Sequence, residues 1–137
     1  MLKPKQTKYR KFRKHRLKTL YEPKANQLKF GLYGIQAMEK GKITSRQIEA
    51  VRRTITSNLK RKGKIWIRIF PFLPVTAKPL EVRMGGGKGN VKEWIAKVRP
   101  GQVLYEVAGN ENWLILYALN KAKNKLPIAS KLISKNV

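Results

Sequence analysis

The sequence predicts an α+β fold: a mixed or antiparallel sheet with two helices, preceded by a basic N-terminal arm. Three observations lead there. Short runs that alternate apolar and polar residues recur along the chain, as half-buried strands do. Two longer stretches carry helix-capping residues and helical periodicity. The two kinds of run do not alternate regularly, which argues against a doubly wound α/β sheet. With 137 residues, 42% of them hydrophobic, the chain divides into an arm over 1–20 and one domain over 21–137, long enough to bury a core.

The arm, "MLKPKQTKYRKFRKHRLKTL", holds nine Lys or Arg and no acid. Like charges this dense do not pack against one another, so the arm is expected to order on a partner. Lys3, Lys5, Lys8, Arg10, Lys11, Arg13, Lys14 and Arg16 are its candidate phosphate contacts. Tyr9 and Phe12 can stack on unpaired bases or pin the arm to the domain.

Leu28, Phe30 and Leu32 recur with period two and predict a strand over 28–38, bent or bulged at Gly31 and Gly34. Residues 44–62 are the clearest helix. Thr44 and Gln47 make a capping box, Ile48, Val51, Ile55 and Leu59 an apolar stripe, and Gly63 a stop. Arg46, Arg53 and Lys60 fall on the opposite side, either solvated or turned toward phosphates. "KIWIRIF" at 64–70 alternates with both faces largely apolar, which predicts a central strand. The prolines of "PFLPVTAKP" confine 71–79 to a loop or an edge.

"LEVRM" is expected as a short strand leading into a glycine-rich loop, "GGGKG". "VKEWIAKV" at 91–98 and "VLYEV" at 103–107 flank the turn "RPGQ" and are expected to pair as a hairpin. Asn110 is placed to cap a second helix over 111–125, with Trp113, Leu116, Tyr117 and Ala122 inward. Pro127 ends it, and "IASKLIS" adds a last strand.

Charge narrows the function. Thirty-two Lys and Arg face seven acids, all Glu, for a net charge of +25. Such a chain repels itself unless a polyanion supplies the counter-charge. Nucleic acid leads, because neutralising phosphates releases condensed counterions; anionic membrane and acidic sugars follow. Neither predicted helix pairs a basic face with a wide, bulky apolar one, which counts against a membrane-active protein. The longest apolar run, "WLILYAL", is far short of a membrane span, and no apolar segment follows the basic start as in a secretory signal. The lack of cysteine and the single histidine, His15, exclude disulfides, thiol catalysis and Cys- or His-cluster metal sites.

The stretch "EVRMGGGKGNVKEW" resembles a nucleotide cradle only superficially. A Walker loop needs a hydroxyl residue after its lysine, and Gly89 follows Lys88. The dinucleotide fingerprint fails at Asn90. No nucleophile and base are grouped, so no catalytic residues, cofactor or metal are assigned. Glycines do leave backbone amides exposed, beside the fork of Arg83 and the point charge of Lys88. On the residues alone, a flexible tip and a phosphate probe stand level.

"KRKGKIWIRIFP" (60–71) and "RMGGGKGNVKEW" (83–94), together with "MLKPKQTKYRKFRK", "TSRQIEAVRRTI" and "GQVLYEVAG", are similar to the bacterial-type large-subunit ribosomal protein number sixteen family over nearly the whole chain. The resemblance implies a hammerhead-type two-layer domain that binds large-subunit rRNA near the central protuberance, beside the aminoacyl-tRNA site. It implies a non-catalytic structural protein that supports late subunit assembly and A-site tRNA placement. The implied partners are large-subunit rRNA, A-site tRNA and neighbouring ribosomal proteins, without membrane or homo-oligomer. By position, Arg83, Met84, Gly85, Gly87, Lys88 and Gly89 are its loop residues; many members carry lysine where this chain has Gly86.

The alternative is a free nucleic-acid-binding or assembly factor that leaves mature ribosomes. The chain starts at the family's own first residues, which implies synthesis where it works. Its Lys, Asn and Ile usage points to an AT-rich genome, hence an organelle. "RRTIT" and "WIAKV" favour a mitochondrion over a plastid, with bacterial cytoplasm as the alternative.

Overall fold

The computed structural model describes residues 2–13 and 25–135. Nine elements follow in order: β1 (Tyr33–Ala37), β2 (Gly41–Thr44), α1 (Ser45–Asn58), β3 (Gly63–Ile67), β4 (Leu73–Ala77), β5 (Asn90–Val98), β6 (Val103–Gly109), α2 (Asn112–Lys123) and β7 (Ser130–Ser134). They make an α+β fold with two antiparallel sheets rather than one, in the orders β3-β6-β1-β7 and β2-β5-β4. The two helices pack on each other, and the core lies between them and the sheets: Ile48, Val51 and Ile55 of α1 and Ile115, Ala118 and Leu119 of α2 join Ile35, Ile43, Val98, Tyr105 and Val107.

Helix α1 begins as its capping box dictates. The Thr44 hydroxyl accepts from the Gln47 amide at 3.3 Å, and the Gln47 side chain accepts from the Thr44 amide at 2.9 Å. It ends earlier than residue 62. The Lys60 amide donates to Ser57 and the Arg61 amide to Thr56, a Schellman closure. Lys60 (φ 48°) and Arg61 (φ 63°) take the left-handed conformation that glycine usually supplies, and Gly63 opens β3 instead.

Further expectations are corrected. The strand over 28–38 shortens to Tyr33–Ala37, because the amides of Lys29, Phe30 and Gly31 converge on the Glu106 carboxylate instead of a neighbouring strand. β3 is an edge strand, not a central one. Its second apolar face is covered by an aromatic, Phe30 stacked on Trp66 at 6.1 Å, while Ile65 and Ile67 pack on the core. "LEVRM" forms no strand: a turn from the Val82 amide to Pro79 leads into residues with no neighbour to pair, and Leu80 and Met84 are fully solvent-facing.

β5 and β6 do not pair. The Pro100–Gly101 turn forms as expected, with Gly101 at φ 83° and the Gln102 amide on Arg99. It is gripped by β1, through Gly101 N–H to Ala37 and Gln36 Nε2 to Gly101, and so hands the chain from one sheet to the other.

In α2 the cap is Glu111, without a side-chain bond, rather than Asn110. The inward residues are Ile115, Ala118, Leu119 and Ala122, whereas Trp113, Leu116 and Tyr117 face solvent. Only Ala122 of the four expected points in. The strand β2 had no separate expectation, and Pro74 sits on the edge strand β4, where a missing amide is tolerated.

Candidate nucleic-acid interface

The glycine-rich loop spans 78–89, between the paired strands β4 and β5, and so forms the tip of the three-stranded sheet. Gly85, Gly86 and Gly87 all have positive φ, 103°, 67° and 84°, and a Cβ on any of them would meet nothing within 4 Å. They are needed for their backbone shape, not for lack of room. Gly89 is the reverse case: its Cβ would run into the Ala77 carbonyl, where the loop closes onto β4. Arg83, Met84 and Lys88 are exposed. Lys78 Nζ donates to the Gly85 carbonyl across the loop.

Arm and loop meet. Lys11 Nζ donates to the Lys88 carbonyl at 2.8 Å, and Lys88 Nζ donates in return to the Phe12 carbonyl. Phe12, Arg13 and Lys88 line a cavity of about 110 Å³ whose floor is Leu73, Pro74, Val75 and Ile95, with Lys42 and Lys97 on its wall. Lys42 and Lys97 sit opposite each other in the β2–β5 register. Like charges so placed repel, and an anion bridging them reverses the sign of that term. Lys42 and Lys97 were missed by sequence reasoning, since only the strand pairing brings them together.

The arm's first residues lie elsewhere. Leu2 lines an open groove with Arg46, Glu49, Ala50 and Arg53 of α1. Lys3, Lys5, Lys8, Arg10 and Arg13 are exposed; Tyr9 is exposed too and meets Phe12 edge-on at 6.4 Å. Lys14 and Arg16, with His15, lie outside the described residues.

On α1 the expected cations are exposed, but Glu49 engages part of the row. It accepts two bonds from Arg52, at 2.7 and 2.9 Å, and one from Arg53 at 3.0 Å. The Arg52 bond, helped by Arg53 and opposed by partial desolvation, holds the Glu49 carboxyl at about 2, and Arg52 is correspondingly held charged. Lys60 groups with Arg52, Arg53 and Arg61 around a cleft of about 380 Å³ floored by Thr56 and Ser57. Arg52 and Arg61 had escaped the sequence reading, which followed a seven-residue spacing and could not foresee the left-handed turn.

Of the expected residues, Lys11, Arg13 and Lys88 come together where arm meets loop, and Arg46, Arg53 and Lys60 line clefts along α1 and the turn after it. Among the described residues no group of three His, Cys, Asp or Glu could hold a metal, and no helix is long and apolar enough to cross a membrane.

Comparison with known proteins agrees with the basic surface. A family model described as ribosomal protein L16p/L10e matches residues 4–133. The "Large ribosomal subunit protein uL16" of Francisella tularensis subsp. novicida (strain U112) is 50% identical over 137 residues, covering 100% of this chain and 99% of that protein. The proteins of the same name from Francisella philomiragia subsp. philomiragia and from Francisella tularensis subsp. holarctica (strain OSU18) match at the same identity and coverage.

Proposed function

Because the chain belongs to the ribosomal protein L16p/L10e family, and is thereby a structural constituent of the large ribosomal subunit, we propose that it binds large-subunit rRNA near the central protuberance. There it supports late assembly and seats tRNA in the A site. The family is one of ribosomal structural proteins, not of enzymes. The observation that carries the proposal is the reciprocal tie between Lys11 and Lys88. It holds arm and glycine loop as one cationic unit, whose ammonium groups rest on backbone carbonyls that phosphate oxygens can replace with stronger bonds in which donor and acceptor are both charged.

In this reading Lys3, Lys5, Lys8, Arg10, Lys11 and Arg13, continued by Lys14 and Arg16, follow the rRNA backbone. Arg46, Arg53 and Lys60 take phosphates along α1 and the turn that closes it. Arg83, Met84, Gly85, Gly87, Lys88 and Gly89 present the loop to tRNA. The bacterial origin of the relatives favours a bacterial ribosome over the mitochondrial one expected from composition and the segments "RRTIT" and "WIAKV". The test is the double variant Arg83→Ala, Lys88→Ala, assayed in purified large subunits. A-site tRNA affinity is expected to fall while the yield of assembled subunits holds. Unchanged tRNA affinity would overturn the tRNA role. Loss of the chain from subunits in a high-salt wash would instead favour a free assembly factor.

A further inference from the structure

We propose that the outward face of α2, built on Trp113, Leu116 and Tyr117, docks a neighbouring large-subunit protein that presents an apolar helix or strand face rimmed with carboxylates. The inference rests on the chain's place in the large subunit. Trp113 is 68%, Leu116 41% and Tyr117 49% exposed. Their spacing of three and four puts them on one side of the helix. The opposite side, Ile115, Ala118, Leu119 and Ala122, is at most 1% exposed. A helix that is apolar all round belongs in an interior, and here half of that interior must come from another molecule. Trp and Tyr are also the side chains that most often anchor protein interfaces.

Charge selects the kind of partner. Residues 100–120 contain no Lys or Arg and two Glu, the longest cation-free stretch in a chain of net charge +25. RNA surfaces combine stacking aromatics with several cations that track the backbone, whereas the Trp113–Tyr117 turn contributes none of its own and meets Lys121 at its C-terminal edge. A second copy of the chain would bring another +25 against the first. Lys62 pairs with Glu111 at the start of the helix, at 3.8 Å, and the helix's own lysines come at its end. Lys121 lies over the Tyr117 ring at 5.4 Å, and Lys123 and Lys125 follow. An apolar face meeting Trp113 and Leu116, with Asp or Glu reaching these lysines, complements the patch in both respects.

The test places a photo-crosslinking benzoylphenylalanine at position 113 or 117 of the full chain, assembled into large subunits in its native cells. After irradiation and mass spectrometry, both positions are expected to yield one large-subunit protein, joined through an apolar segment flanked by acids. Trp113→Ser with Tyr117→Ser should lower that protein's occupancy in subunits on the order of tenfold while this chain is retained. Lys121→Glu, which leaves the apolar face intact, should lower it as well. Cross-links to rRNA or to a second copy, no macromolecular cross-link, or unchanged occupancy in both variants would overturn the proposal. Absence of the unsubstituted chain from sedimented large subunits would overturn the underlying reading and the proposal together.

Discussion

Arg68 and Glu106 form a buried ion pair that fastens the start of the domain to its central strand. Glu106, fully buried on β6, takes Arg68 Nη1 on one oxygen and the amides of Lys29, Phe30 and Gly31 on the other, at 3.0, 2.6 and 2.8 Å. Arg68 also lies over the Phe30 ring at 5.5 Å. The neighbouring Tyr105, on the opposite face of the strand by alternation, donates its hydroxyl to Ile48 of α1 at 2.9 Å. β6 therefore ties the segment leaving the arm to one face and the main helix to the other. Glu106→Ala leaves Arg68 and three amides without their acceptor. A loss of about 3–5 kcal/mol is expected, as for other broken buried pairs. Urea unfolding of the free protein measures it; Glu106→Gln, which keeps a carbonyl acceptor, should lose less. Equal losses would mean that the charge facing Arg68, not the bonds from the three amides, dominates.

Acid should loosen the protein through two carboxylates. Burial pushes the Glu106 carboxyl up, but the Gly31 and Phe30 amides and the Arg68 guanidinium outweigh it and hold it below the usual range. Glu49 is held at about 2 against an ordinary 4.5. A carboxyl whose folded value is depressed adds stability that is complete above its unfolded value and is lost as pH falls through the folded one. For Glu49 that window runs from 4.5 down to about 2. The melting temperature should fall across it, and Glu49→Gln should flatten the slope. A slope identical to the parent's would show that the Arg52 and Arg53 bonds do not persist in solution.

These residues also show where sequence reading stops. The Thr44–Gln47 box and the Pro100–Gly101 turn were legible because their chemistry is local, within three residues. Glu106 was not: in "VLYEV" it reads as a solvent-facing residue, and its amide partners are 75 to 77 positions away. The Lys11–Lys88 tie spans 77 positions. The phase of α2 failed for another reason. "WLILYAL" is apolar on every side, so periodicity cannot choose which side turns inward; the packing against α1 does. Of the candidate interface, the cations of arm and loop were legible from charge alone, while Lys42, Lys97, Arg52 and Arg61 needed the fold.

The tie between arm and loop is tested in the free protein. Lys88→Met removes the ammonium that reaches the Phe12 carbonyl and keeps the length of the side chain. Phe12 should then leave the cavity over Pro74 and Ile95 more often. Chymotryptic cleavage after Phe12 is expected to accelerate severalfold, with cleavage within the core unchanged. An unaltered rate would mean that Phe12 is held by packing and that Lys88 adds nothing to it.

Lys60 sets stability against binding. It occupies the left-handed position of the Schellman closure at φ 48°, and Arg61 after it is left-handed as well. A side chain in that conformation costs roughly 1–2 kcal/mol relative to the right-handed one, and glycine escapes most of the penalty while losing some entropy of its own. Lys60→Gly is therefore expected to stabilise the free protein by about 0.5–1 kcal/mol. The same change removes one cation from the cleft shared with Arg52, Arg53 and Arg61. If that cleft holds an rRNA phosphate, the slope of log affinity for rRNA against log salt should shrink by about one. Higher stability with a shallower salt slope supports a strained turn kept for its charge. Higher stability with an unchanged slope would remove Lys60 from the interface.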